Sequence, residues 1–281
     1  MIRPLGFVAI YAVLVGVASF IEVPAGRGLG AFQLNLLIRT GSLAAAVVAV
    51  LAVHGLALPT GASALPGLGI GLLTGVGSIF YCFALKNMPV ALVVTFSNLY
   101  LVVTILLGMV VLGEPITVLK GAGLAGTLAG VLVLAHAPAR YGVQSQPDSD
   151  DQALPIRAFA MMGTYVIIVG VGAFLEKPAL NGLDATELNG LMAIAMTAVA
   201  GIALAVRGPR LPRPKRSLRG IGVGAMIGLA SVLYFLGLRD LPVSVAAAFS
   251  NSYHRVAGPG RCVRTVHRYA SPAVGWRPSR R

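Results

Sequence analysis

Apolar residues in this chain come in long unbroken runs, without the alternation of a half-buried strand or the one-faced stripe of a surface helix. Crossing the hydrocarbon core of a bilayer takes roughly 20 such residues. The first half of the chain supplies five runs of that kind, at about 5–23, 34–56, 68–85, 90–112 and 116–137. A polar segment, ARYGVQSQPDSDDQALP, follows with the composition of an exposed linker. Three further runs occupy about 156–175, 188–206 and 221–238, and a ninth begins at Val243. The pattern predicts an all-α integral membrane protein with about eight full spans and a truncated ninth. The first run is too long for the apolar part of a signal peptide and recurs later, so it reads as a retained helix.

The second set of runs repeats the first. Residues 11–35 align without gaps to 165–189 with 13 identities in 25 positions, including FIEVPA against FLEKPA. Residues 67–100 align to 220–253 with 13 identities in 34, including FSNLY against FSNSY. A unit of five spans is odd-numbered, so its second copy must cross the membrane in the opposite sense, giving an inverted-topology repeat. The expected organisation is a first five-helix repeat at 1–139, a linker at 140–155, an incomplete second repeat at 156–253 and an Arg-rich unrelated tail at 254–281.

The segment FALKNMPVALVVTFSNLYLVVTILLGMVVLGEPIT, with its turn before Pro89 and its Gly113–Glu114 pair, and the glycine-rich GAGLAGTLAG complete this picture. With the duplicated unit they resemble the EamA-type branch of the drug/metabolite transporter superfamily, over about residues 1–253. That resemblance implies ten helices in two inverted bundles around a central cavity, transport of small metabolites or drugs, and residence in the inner membrane of a bacterium. Many relatives carry a more apolar stretch with a proline where this chain has FSN.

Composition agrees with the bilayer: 57% of residues are apolar, 11% charged, and mean hydropathy is +0.84. The net charge of +13 would suggest nucleic acid if a polar fold presented it as a face, but seven of the 22 Lys and Arg follow Tyr253 and six lie between Arg207 and Arg219. Basic loops beside anionic lipid explain the charge, so nucleic acid is not an expected partner. Cys82 and Cys262 form no metal or redox spacing. No Walker loop, Ser-His-Asp set or metal-ligand cluster is legible, and neither cofactor nor metal is expected.

Glu22 and Glu176 occupy equivalent places near the carboxyl ends of their helices, where the helix dipole disfavours negative charge. They read either as a titratable pair that binds protons or a cationic substrate, or as interfacial residues beside bends at Pro24 and Pro178. Lys177 favours the interface. Ser97, Asn98 and Tyr100, with Ser250, Asn251 and Tyr253, fall near mid-membrane, where polar groups must face other helices or a cavity. Either the two FSN segments hold the bundle together or they line a substrate site at the repeat interface. Tyr81 and Tyr234 can add to the same cavity. Asn35 and Asn189, at the starts of their spans, read as caps.

Arg39 has Ala193 as its counterpart and, about one turn into its helix, can snorkel to the interface; the resemblance keeps a substrate-anion role open. Glu114 precedes Pro115 and suits the dipole of the fifth helix. Gly67, Gly69 and Gly71, with Gly220, Gly222 and Gly224, read as close helix packing. Gly126 and Gly130 have the GxxxG spacing that packs helices within a bundle or between protomers of a homo-oligomer.

These residues favour a secondary transporter or exporter of a small organic metabolite. The alternatives are a membrane lipid-handling enzyme or flippase subunit, and a non-functional product of a transporter gene. That last reading comes from the tail. After Tyr253 the repeat match stops abruptly, and the remaining 28 residues hold seven Arg, three Pro and no acid. From Pro242 to Tyr253 there are about 18 Å of helix against a core of about 30 Å. The expectation is a frame-shifted or replaced segment, with a stub for the ninth helix.

Overall fold

The computed structural model describes residues 2–25, 29–55, 58–88, 90–115, 117–118, 121, 125–126, 156–208 and 214–250. The fifth helix expected at 116–137 falls mostly outside them. So do the linker, Asn251, Tyr253, the tail and the side chain of Ser250.

Among the described residues every regular element is helical. In chain order they are α1 (Ile2–Ala25), α2 (Ala31–His54), a 3-10 turn (Gly61–Ala64), α3 (Leu65–Asn87), α4 (Val90–Ser97), α5 (Tyr100–Val111), α6 (Ile156–Ala179), α7 (Ala185–Val206), α8 (Pro214–Asp240) and α9 (Val243–Ser250). Six of these helices, α1, α2, α3, α6, α7 and α8, are long and apolar enough to cross a membrane. The chain is an integral membrane protein.

The fourth expected span, 90–112, is not one helix. It breaks at Asn98 and Leu99 into α4 and α5. There the amides of Leu99, Leu101 and Val102 donate to the carbonyls of Phe96, Asn98 and Leu99, three residues back rather than four. Tightened bonds of this kind satisfy the backbone while turning the chain. Farther along, α9 reaches Ser250, the counterpart of Ser97, and the described residues end.

Packing runs mainly between the two halves, and glycine sets it. On α3, an added Cβ at Gly67 would meet Leu191, one at Gly71 would lie 2.6 Å from the Met192 carbonyl oxygen, and one at Gly75 would meet Met196 and Val199. On α8, the same tests put Gly220 on Leu37, Gly224 on the carbonyl of Ile38, and Gly228 on Ser42 and Ala45. Each contact in the second set is the first moved along by the repeat offset. Where no water competes for polar groups, helices associate through such small-residue contacts.

The direction of the helices follows from their contacts. Thr197 on α7 donates to the Arg39 carbonyl on α2 at 3.1 Å, Gly190 faces Val50, and His54 meets Asp184, so α2 and α7 cross antiparallel. Inversion of equivalent helices requires this. Likewise Tyr81 stacks on Tyr165, and Gly172 faces Thr74, so α6 runs antiparallel to α3.

Asn35 and Asn189 are not caps. Each sits in the second turn of its helix and crosses to the next one: Asn35 donates to Ser78 Oγ at 3.1 Å, whose hydroxyl donates on to the Gly75 carbonyl, and Asn189 donates directly to the Gly228 carbonyl at 3.2 Å. The cap of α7 is Asp184. Its carboxylate accepts from the amides of Thr186 (2.7 Å) and Glu187 (2.9 Å), while Glu187 accepts from the Asp184 amide, completing a capping box. Partial burial opposes ionisation of Asp184, but these hydrogen bonds and the nearby His54 outweigh it and hold the carboxyl below its ordinary value.

Two outcomes test this account. Gly224→Ala and Gly71→Ala, which place a methyl on backbone atoms, should each destabilise the detergent-solubilised protein by about 1–3 kcal/mol. Gly69→Ala and Gly222→Ala, with nothing within 4 Å, should not lower the melting temperature, since Ala is the better helix former, although all four belong to the same glycine-rich stretches. For Asp184, replacement by Ala should cost about 1 kcal/mol at pH 7. Since the folded carboxyl lies below the usual value near 3.9, its contribution is complete above about pH 4 and fades as pH falls through the folded value. The gap between Asp184→Ala and the parent protein should therefore close on acidification, as followed by thermal melts.

Candidate functional site

Five tyrosines from five helices converge between the halves. Tyr11 on α1 packs against Tyr234 on α8 with ring centroids 5.1 Å apart, and Tyr81 on α3 packs against Tyr165 on α6 at 5.3 Å. The repeat offset exchanges these two pairs. Tyr100, the first residue of α5 after the helix break, lies within electrostatic reach of Tyr11, Tyr165 and Tyr234.

The two duplicated glutamates extend this cluster. Glu22 acts on Arg39 and Tyr81, and Glu176 acts on Tyr11 and Tyr234. Because α1 and α6 run in opposite directions and both acids sit near helix carboxyl ends, Glu22 and Glu176 lie toward opposite faces of the bundle. The interacting groups form a continuous series across it: Glu22, Arg39, the Tyr81–Tyr165 pair, Tyr100, the Tyr11–Tyr234 pair and Glu176.

Tyr11, Tyr81, Tyr165, Glu22 and Arg39 are partly exposed, whereas Glu176 and Tyr234 are buried, at 8% and 9% exposure. A void in the described residues lies apart from this series and is apolar, lined by Val47, Val50, Leu51, Leu58 and Ile194 among others.

Arg39 lies eight residues past the start of α2, about 12 Å along it, deeper than one turn. Its Nε is buried without a hydrogen-bond partner. Ser97 and Asn98 are half-buried at the break between α4 and α5. Glu176 stands at no bend: α6 continues through Pro178 to Ala179, and the Leu180 amide still donates to the Glu176 carbonyl at 3.2 Å. Tyr11 and Tyr165 are the members of the tyrosine cluster that sequence reading passed over, although they open the first aligned block.

Lys177 turns away from Glu176. Its Nζ donates to the carbonyls of Leu238 (2.7 Å), Arg239 (2.6 Å) and Leu241 (3.0 Å), covering the carboxyl end of α8. Glu114 takes the other side of the same turn. Its carboxylate accepts from the Val243 amide at 2.6 Å, the Ser244 amide at 3.3 Å and the Ser244 hydroxyl, so it caps α9 from the opposite half. The fifth helix that Glu114 was expected to serve lies mostly outside the described residues.

On the same side, His54 lies against the Asp184 carboxylate as an ion-pair contact without an aligned hydrogen bond from Nε2. His54, Asp184 and Glu187 place their ligating atoms within 4.8 Å of one another, a grouping with no sequence spacing to announce it. Across the bundle, the Arg207 guanidinium sits 4.2 Å from the Phe32 ring centre and 4.1 Å from that of Phe83.

Residues 5–135 match the EamA-like transporter family, so an EamA-like domain occupies the first half of the chain. No curated protein matches the sequence. A solved structure described only as the crystal structure of a protein is similar in fold, with a TM-score of 0.73 at 19% identity, covering 96% of this chain and 91% of that one.

The Lys177 cap gives a direct prediction. Lys177→Met leaves three carbonyls at the end of α8 without their cationic donor and should destabilise the protein by about 1.5–3 kcal/mol. Lys177→Arg should recover part of that loss in the same melting experiment.

Proposed function

We propose that this protein is a secondary transporter of a small organic solute, with its site among the tyrosines between the two halves. The observation that carries the reading is the series of polar groups running from Glu22 to Glu176 through an otherwise apolar bundle. An unpaired charge at membrane depth costs roughly 2.5–3.5 kcal/mol on the insertion scale, so groups held there need a use. The EamA-like domain, from a family of transporters, points the same way.

In this reading the solute sits against Tyr11, Tyr81, Tyr100, Tyr165 and Tyr234, with Arg39 and the two glutamates supplying charge. The break at Asn98 and Leu99 puts Ser97 and Asn98 where a half-helix ends, the kind of discontinuity that forms binding sites in inverted-repeat transporters. By the sequence repeat, Ser250 and Asn251 are the counterparts of Ser97 and Asn98. Glu22 serves one face and Glu176 the other, so a solute or proton meets an acid on either side as the halves rock about the glycine contacts. The inner membrane of a bacterium is the setting this reading assigns.

Solute flux into proteoliposomes under an imposed pH gradient tests it. Transport should respond to the gradient, and the Glu22→Gln/Glu176→Gln variant should lose that response. A double variant that keeps normal pH-dependent flux would remove the two acids from the mechanism.

A further inference from the structure

His54 is the last residue of α2, and the chain leaves it through Gly55 in the left-handed region, at φ 64°. Its imidazole meets the start of α7, in the other half, where Asp184 and Glu187 form their capping box. That box divides the two oxygens of each carboxylate. Asp184 commits Oδ1 to the amides of Thr186 and Glu187 and to the Thr186 hydroxyl, and Glu187 commits Oε2 to the Asp184 amide. The second oxygen of each acid takes no part in the cap. Asp184 Oδ2 meets His54 Nε2, an atom closed off from solvent that makes no hydrogen bond.

Three donor atoms thus converge from two elements, all within 4.8 Å of one another. In a tetrahedral zinc site, with bonds of about 2.0–2.2 Å, ligand atoms stand about 3.3 Å apart. Closure needs only small side-chain rotations, and there is room for them, since the His54 and Asp184 side chains are 28% and 32% exposed. The capping hydrogen bonds hold both carboxylates from behind, as outer partners do around metal ligands. One imidazole with two carboxylates suits zinc and its first-row neighbours, whereas calcium and magnesium favour oxygen alone. A simple ion pair would account for His54 and Asp184 but not for the third donor or the unaligned Nε2. Among the described residues no Lys or Arg pairs with either acid.

We propose that His54, Asp184 and Glu187 form a binding site for a divalent transition-metal ion, best matched by Zn²⁺, with water completing the coordination. His54 belongs to the first half of the chain and the two acids to the second, so the ion fastens the end of α2 to the start of α7 across the halves. The site stands apart from the tyrosine series and does not depend on the transporter reading.

Zinc chloride is the probe, titrated by calorimetry into the untagged full chain in detergent after a chelator has stripped it and been dialysed away. Near neutral pH an ordinary imidazole is largely unprotonated and free to ligate. The parent protein should bind about one Zn²⁺ through this site and melt at a higher temperature with zinc than without; calcium at the same concentration should not raise it. His54→Gln should bind zinc at least tenfold more weakly and lose that rise. Asp184→Asn and Glu187→Gln, which keep an oxygen for the capping box, should weaken binding likewise while still melting cooperatively without metal. The tail variant His254→Gln/Cys262→Ser/His267→Gln should bind as the parent does. Zinc K-edge absorption on the parent should show nitrogen and oxygen neighbours without sulfur, which keeps the assignment testable if a variant does not fold. Absence of saturable binding, unchanged affinity in a folded His54→Gln, binding lost in the tail variant, or sulfur beside the metal would overturn it.

Discussion

Everything in this bundle depends on how closely α2 can approach α8, and α3 approach α7. Lipid tails are as apolar as leucine, so burying leucine between helices gains little in a membrane; what remains is contact between surfaces that fit. Gly71 and Gly224 bring their helices near enough that a single methyl would strike backbone. Those two approaches fix the crossing of α2 over α7 and, through it, the spacing of the tyrosine pairs on either side.

On this nearly symmetric frame the ends of the helices are finished differently. One side has the His54–Asp184 contact, the Lys177 cover on α8 and the Glu114 cap on α9. The opposite side has an arginine laid over two phenylalanines. Ion pairs and charge-assisted hydrogen bonds at a membrane face weaken with salt, whereas a guanidinium laid on aromatic rings is held by packing as well as by charge. The same fold therefore meets its two aqueous surroundings with unlike chemistry.

Much of the frame was legible in the sequence because it rests on composition and period. The long apolar runs marked α1, α2, α3, α6, α7 and α8, and the aligned blocks contained the packing residues Gly67, Gly71 and Gly75 with their counterparts Gly220, Gly224 and Gly228, while Gly69 and Gly222, read the same way, meet nothing. The break at Asn98 was hidden, since FSNLY contains neither glycine nor proline and the interruption is made by shortened hydrogen bonds. Asn35 and Asn189 looked like caps because they stand near helix starts, but their partners lie on the following helix. Glu114 meets Val243 across 129 residues of chain, a pairing that no local pattern encodes. The tyrosine cluster was half visible: Tyr81, Tyr100 and Tyr234 stood out as repeated or mid-span, while Tyr11 and Tyr165 passed as ordinary members of apolar runs.

Among the described residues, the α3 stripe and the complementary face of α2 find their partners on the other half of the chain. A second copy inserted upside down covers both at once, because each copy offers the groove that the other's glycines fit. The fit is thus mutual: every glycine face described on one half has its groove on the other, set antiparallel to it.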